Sequence, residues 1–325
     1  MITAYFKNHI TRQISLAEFE FLDLSDVIWL DLFKPTPDEH SAVNNRTGFK
    51  VPTHKSLKDI EPSSRLHFEN DDLYLTIWLI ADPYIKHPKL EEVGFILGPN
   101  LLVSVRYVEM KAFSVIAREY QATVLDQRSP LMALLTAIDT ISDSCAEVLE
   151  QAVDQIDEIA GEIFGQQFRG KRKTPKYLED RVARYVGFHR LLSKVRDTLL
   201  SISRMMNYLQ IKRVVPEGSP QQDFALAIMH DVQTLAEHAN FVSGNLSFLS
   251  DATLGIINIE QNAIIKIFSI ASVVFLPPTL VASIYGMNFD IMPELHWAYG
   301  YPLAIITMII TAVIPFLFFR WKGWL

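Results

Sequence analysis

Two long uncharged stretches close the chain and constrain everything that precedes them. Ile267 to Phe289 runs 23 residues and Ala298 to Phe319 runs 22 residues without a formal charge, and about 20 predominantly apolar residues suffice to cross the hydrocarbon core of a bilayer. A buried core helix is the competing reading, but two such runs side by side with aromatic flanks point to membrane spans. Trp297, Tyr299 and Tyr301 stand at one end of the second run and Trp321 and Trp324 at the other, as interfacial aromatic belts do.

Flanking charge sets the expected orientation. The connector between the runs holds Asp290, Glu294 and His296 but no Lys or Arg, whereas Lys266 precedes the first run and Arg320 and Lys322 follow the second. Positive charge collects on the cytoplasmic side, so both termini are expected in the cytoplasm and the connector outside. Over the whole chain 30 Lys and Arg against 37 Asp and Glu give a formal −7, and because Asp290, Glu294, Arg320 and Lys322 cancel, that charge belongs to the body before the runs, which argues against generic nucleic-acid binding. A single cysteine, Cys145, excludes an internal disulfide and a Cys-based zinc site and suits a reducing compartment. Met1 to Gln13 lacks the basic start and apolar centre of a signal peptide. The sequence contains neither G-x-x-x-x-G-K-[ST] nor H-E-x-x-H, and no nucleophile paired with a base, so an enzyme and an organic cofactor are not expected.

Upstream of the runs the pattern predicts a mixed α/β domain over 1–128. Strand-like stretches fall at Ile2–Leu16 around Asn8-His9, Val27–Leu32, Arg65–Ile80 around Asn70-Asp71-Asp72, and Glu92–Val108 around Gly98-Pro99-Asn100. Helical patches are expected after Thr36 and over Phe113–Ala122. A cytoplasmic helical hairpin follows over 129–215, with a basic tip at Arg169-Gly170-Lys171-Arg172-Lys173. A stalk helix is expected over 216–266, the first span with its terminal loop over 267–289, an external loop over 290–297, the second span over 298–319, and a basic tail over 320–325. The fold class is therefore α+β with long helices and two transmembrane helices.

The stalk carries a seven-residue apolar repeat. Ile228, Leu235, Val242, Leu249 and Ile256 recur at that interval, with Val232, Ala239 and Leu246 four residues after the first three. With no breaker before Pro277-Pro278, one helix over Pro220–Tyr285 would be roughly 100 Å long at 1.5 Å per residue. The repeat favours contact between copies of the chain over packing against its own helices. Two spans cannot enclose a polar path, so a pore would need several subunits and a lining of hydroxyls, amides and carbonyls. Ser269, Ser272, Thr279, Ser283 and Asn288 supply such groups, although Ser and Thr in a span also bond their own backbone.

Tyr285-Gly286-Met287-Asn288-Phe289, followed by Met292-Pro293-Glu294-Leu295, resembles the signature of the CorA family of magnesium transporters. The tripeptide Gly286-Met287-Asn288 gains its specificity from its place at the outer end of the first of two C-terminal spans. Asn258-Ile259-Glu260-Gln261-Asn262 and Phe275-Leu276-Pro277-Pro278-Thr279-Leu280 extend the resemblance to the gammaproteobacterial branch. It is strong over residues 250–325 and architectural elsewhere.

The resemblance implies a homopentameric funnel in lipid, with first spans around a central pore and Gly286, Met287 and Asn288 as the selectivity loop. It places Asn262, Phe268, Leu276, Thr279 and Ser283 toward the axis, and Glu294 and Asp290 in an acidic outer mouth. It implies Mg²⁺ influx down the membrane potential, gated by intracellular Mg²⁺ bound at acidic residues of the cytoplasmic part; the candidates are Glu69, Asp71, Asp72, Asp231, Glu237 and Asp251. Asp71 and Asp72 also read as plain turn residues. Co²⁺ and Ni²⁺ are expected to pass too. The alternatives are a zinc, cobalt or nickel transporter on the same scaffold and a non-conducting, membrane-anchored signalling protein. Zinc-transporting relatives depart from the tripeptide, so its intact form favours magnesium.

Overall fold

Alternating apolar residues and well-placed turns build a seven-stranded sheet at the N-terminal end. In the computed structural model, which describes residues 1–8, 10–59, 61, 64–83, 88–122, 129–167, 174–287, 292–293 and 297–324, the strands are β1 (Ile2–Phe6), β2 (Thr11–Ile14), β3 (Val27–Phe33), β4 (Leu66–Glu69), β5 (Asp72–Ile80), β6 (Leu90–Leu97) and β7 (Leu102–Arg106). Their order is β2-β1-β3-β7-β6-β5-β4. Only β3 and β7 pair in parallel; the other neighbours are antiparallel. The turn between β4 and β5 is made by Asn70 and Asp71, both at positive φ, 50° and 66°. Two successive left-handed residues match the right-handed twist of a hairpin, and Asn and Asp tolerate that conformation.

Helices cover both faces of the sheet. On one side lie α1 (Leu16–Phe21), α2 (Pro37–Thr47) and α3 (His54–Asp59), sharing a core that includes Phe19, Val43 and Leu57 with Leu30, Leu32, Val103 and Val105 of the central strands. On the other lie α4 (Lys111–Ala122), α5 (Pro130–Gln167), α6 (Pro175–Ile211) and the upper part of α7 (Pro220–Tyr285). Leu75, Ile77, Phe95, Ile138, Val195, Leu199, Ile228 and Val232 belong to this second core. The α2 start is specified locally: Thr36 and Glu39 form a capping box, Pro37 occupies the first turn, and Gly48 at φ 79° ends the helix. The six-residue α1 has the same box in Ser15 and Glu18, within a segment the strand pattern had claimed up to Leu16.

The middle of the sheet buries a satisfied polar network. Asp31 of β3 sits opposite Ser104 of β7. Ser104 Oγ donates to Asp31 Oδ1 at 2.7 Å, Trp29 Nε1 donates to Ser104 Oγ at 2.9 Å, and Arg106 Nη2 donates to Asp31 Oδ2 at 2.9 Å. Arg106 also lies over the rings of Phe33 and Phe113. Buried charges persist only when paired and hydrogen-bonded, and both conditions are met.

The chain divides into two units, residues 1–170 with 183–250, and residues 171–182 with 251–325. The first contains the sheet, its covering helices and the upper part of α7. The second contains the start of α6, the remainder of α7, and α8 (Gly300–Trp321). Within it, the Lys266 ammonium of α7 lies 5.6 Å from the centroid of the Trp324 ring, just past α8. The expected boundary at residue 128 and the basic tip at Arg169 to Lys173 fall outside the described residues.

The seven-residue repeat has a different use from the one its period suggested. Ile228, Val232, Ala239, Val242 and Leu246 are buried within the single chain, and Leu235 packs against the same core as Ile228 and Val232. From Ile228 to Leu246 the stripe is thus covered largely within one chain, while Leu249 and Ile256 further along are half-buried. A heptad specifies that a helix has an apolar stripe, not which helix covers it.

Candidate ion path and acidic clusters

The lower part of α7 has a bare side and a covered side. At about 100° per residue, Asn262, Phe268, Leu276, Thr279 and Ser283 fall within an arc of about 120°, and all five are exposed in the single chain. Phe268 is 71% exposed and Leu276 65%. Lys266, Ile270, Val274, Pro277, Pro278 and Val281, on the opposite side, are partly or fully buried. The apolar windows of α7 and α8 are almost entirely uncovered by the chain itself. A core helix of a soluble protein would be mostly buried, so these two helices need a surrounding apolar phase or further copies of the chain.

The hydroxyls on α7 show how polar groups survive there. Ser272 Oγ donates to the Phe268 carbonyl at 2.9 Å and Thr279 Oγ1 to the Phe275 carbonyl at 2.8 Å. Backbone bonding thus uses the proton of each hydroxyl and leaves oxygen lone pairs outward as acceptors. Pro277 and Pro278 lie inside the helix without ending it. Neither has an N–H, so the carbonyls of Val273 and Val274 receive no helical hydrogen bond from them.

Helix α7 ends at Tyr285, just before Gly286 and Met287. Gly286 N–H donates to the Ala282 carbonyl at 3.0 Å and Met287 N–H to that of Ile284 at 3.2 Å. A Cβ at position 286 would lie 3.1 Å from the Ala282 carbonyl oxygen, a crowding that glycine avoids. Met287 is exposed. Asn288, Asp290 and Glu294 lie outside the described residues.

The six acidic residues expected to bind regulatory metal are not gathered in one place. Glu69, Asp71 and Asp72 belong to the β4–β5 hairpin, where Glu69 pairs with Lys50. Burial, then Asp71, raises the Asp72 carboxyl above its ordinary range. Asp231 and Glu237 are exposed on the upper part of α7, with Glu237 accepting from Gln233 Nε2 at 3.0 Å; Asp251 belongs to the second unit. Among the described residues no group of three or more His, Cys, Asp or Glu has metal-binding geometry.

A second grouping escaped the sequence reading. Asp139 of α5 is pushed up to about 6 by burial first, then by the charges of Asp143, Asp231 and Glu119. Asp143 is raised by the same kind of surroundings, and Glu119 Oε2 accepts from Thr140 Oγ1 at 3.1 Å. These carboxylates come from α4, α5 and α7, so no local motif announces them. Cys145 is buried and its thiol is raised to about 12 by that burial, which keeps it protonated and unreactive at neutral pH.

Comparison with known proteins follows the same outline. The family model described as CorA-like Mg²⁺ transporter protein matches residues 25–321. The magnesium transport protein CorA of Salmonella typhimurium is 35% identical over 323 residues, covering 98% of each chain. The complete CorA magnesium transporter structure from Methanocaldococcus jannaschii superimposes with a TM-score of 0.76 at 17% identity, over 100% of this chain and 99% of that one. The ZntB cytoplasmic domain from Vibrio parahaemolyticus shares the fold with a TM-score of 0.55 at 13% identity, over 80% of this chain and 98% of that one.

Proposed function

Because the chain belongs to the family of CorA-like Mg²⁺ transporter proteins, we propose that it admits Mg²⁺ through a homopentameric pore in the bacterial inner membrane, with both termini cytoplasmic. The observation that carries this reading is the bare arc of α7, which bears every expected pore position and ends at Gly286-Met287. Five such arcs facing one axis would cover one another and leave hydroxyl and amide oxygens around a channel.

The chemistry suits a hydrated cation. Mg²⁺ demands near-octahedral oxygen ligation and gives up water reluctantly. A ring of Asn288 side-chain oxygens would accept hydrogen bonds from the retained waters, and the outward lone pairs of Thr279 and Ser283 would do so further in. Phe268 and Leu276 would close the path by dewetting when the ring narrows. Glu294 and Asp290 would concentrate cations at the outer mouth. A divalent ion entering a negative interior across 100 mV gains about 4.6 kcal/mol, enough to drive entry without ATP.

Intracellular Mg²⁺ would act as regulator by neutralising acidic residues before the first span, Asp231 and Asp251 among the six expected candidates. Co²⁺ and Ni²⁺, whose hydrates are similar in size, would share the path. The zinc-transporter alternative draws on the likeness to the ZntB cytoplasmic domain, which at 13% identity extends to the fold alone. The 35% identity along the whole chain favours magnesium.

The test is ion entry into proteoliposomes with the interior clamped negative and then at zero potential. Potential-driven Mg²⁺ entry without comparable Zn²⁺ entry is expected. Dominant Zn²⁺ entry would establish the alternative ion, and absence of all flux with internal Mg²⁺ removed would leave a membrane-anchored, non-conducting protein.

A further inference from the structure

A cavity of about 60 Å³ lies where β5 and the residue preceding β4 meet α6, lined by Arg65, Thr76, Trp78, Asp197, Ser201 and Arg204 among others. Its floor is fixed. Trp78 Nε1 donates to Glu92 Oε1 at 3.2 Å, and the Trp78 backbone N–H donates to Ser201 Oγ at 3.0 Å. The Arg65 guanidinium is held 3.8 Å from the centroid of the Trp78 ring.

The donors at this cavity outnumber their acceptors. Arg65 Nε is buried without a hydrogen-bond partner. Among the described residues neither guanidinium is engaged in a hydrogen bond or an ion pair. Burial holds Arg65 below the ordinary guanidinium range, with Glu92 opposing and Arg204 adding to the fall; the two cations therefore sense each other. Ser201 Oγ accepts from Trp78 and keeps its own proton for an acceptor. Asp197 shares the wall but pairs with neither arginine. Two like charges and a hydroxyl around one small space call for an acceptor with several oxygens, and guanidinium groups match oxyanions best.

We propose that this cavity binds a small oxyanion, with the guanidinium groups of Arg65 and Arg204 and the Ser201 hydroxyl as donors. Asp197 accepts a hydrogen bond from a proton the anion still carries, so hydrogen phosphate fits and sulfate, fully ionised at neutral pH, does not. Size agrees: at roughly 10–15 Å³ per water by this measure, the space suits roughly four to six heavy atoms, a phosphate and not a nucleotide. The same oxygen chemistry could instead be supplied by a carboxylate of a second copy of the chain. The inference is independent of ion conduction, since it rests on the β5–α6 side of the first unit.

The test is calorimetric titration of the full-length, detergent-solubilised protein with inorganic phosphate in Mg²⁺-free buffer at fixed ionic strength. The expected result is saturable binding of one phosphate per chain, with sulfate at least tenfold weaker. Arg204→Gln should weaken phosphate at least tenfold, Arg204→Lys should recover part of the loss, and Asp197→Asn should abolish the preference over sulfate. Arg204 is exposed, so its replacement should leave the thermal melt unchanged. If wild type takes up no phosphate and Arg204→Gln lowers the oligomer mass, the oxyanion comes from a second copy. No phosphate binding together with an unchanged oligomer in Arg204→Gln, or equal phosphate binding by wild type and Arg204→Gln, would overturn the proposal.

Discussion

The centre of the sheet and the lower part of α7 treat polar and apolar groups in opposite ways. In the sheet, charged Asp31 and Arg106 are buried and fully engaged with each other and with Ser104. Along α7, Phe268, Phe275 and Leu276 are among the most exposed side chains of the chain. The first region is complete within one chain. The second is left open by that chain and is completed by what surrounds it. One side of upper α7 belongs with the sheet in this respect, since Ile228, Val232 and Leu246 are covered, while Phe241 and Phe248 on its other side stay exposed.

The sharpest way to test the contrast is to damage each region and read both folding and flux. Asn288→Ala should abolish measurable Mg²⁺ entry into proteoliposomes while the thermal melt and oligomer mass stay at wild-type values; retained selective entry would refute the loop assignment. Arg106→Ala should do the reverse. Leaving Asp31 buried and unpaired costs about 3–5 kcal/mol, which a denaturant titration of the cytoplasmic signal would register.

Smaller effects sharpen the comparison within α7. Leu246→Ala on the covered side should cost about 2–5 kcal/mol of stability. Phe248→Ala, on the exposed side two residues away, should leave the unfolding midpoint of the dissociated chain within about 0.5 kcal/mol of wild type. Equal losses in the two variants would erase the distinction between covered and bare sides.

The smallest expected effect concerns pH. The folded Asp139 carboxyl is raised to about 6 from 3.8, so the folded state binds more protons between those values and its stability falls as pH rises through that window. Above pH 6 the penalty is fully present. Asp139→Asn should therefore raise the melting temperature at pH 7.5, and the gain over wild type should shrink toward zero near pH 4, where wild-type Asp139 is protonated. A gain independent of pH would assign the effect to packing instead of charge.

The sequence was most legible where a short segment specifies its own geometry. Thr36, Pro37 and Glu39 define the α2 start without outside help, and Asn70-Asp71 turns the β4–β5 hairpin at the expected place. The Ser15-x-x-Glu18 box is as clear, yet six residues give too little periodicity to separate α1 from the strand before it. The two apolar helices were legible by length alone. Less visible were groupings made by tertiary packing: Glu119, Asp139 and Asp231 are distant in sequence, and Arg65 meets Arg204 only after α6 is laid against the sheet. The heptad of α7 was legible as a stripe, but its period does not say that other helices of the same chain cover Ile228, Val232 and Leu246.

The paired prolines within α7 have an electrical consequence. The carbonyls of Val273 and Val274 lack the amide donors that positions 277 and 278 would ordinarily supply, in a stretch whose side chains carry no formal charge. That segment therefore carries a standing partial negative potential written into the main chain. No proton can titrate it, and exchanging side chains at 273 and 274 leaves it in place. An amide restored at position 277 would answer only the Val273 carbonyl and one at 278 only that of Val274, so removing it takes both.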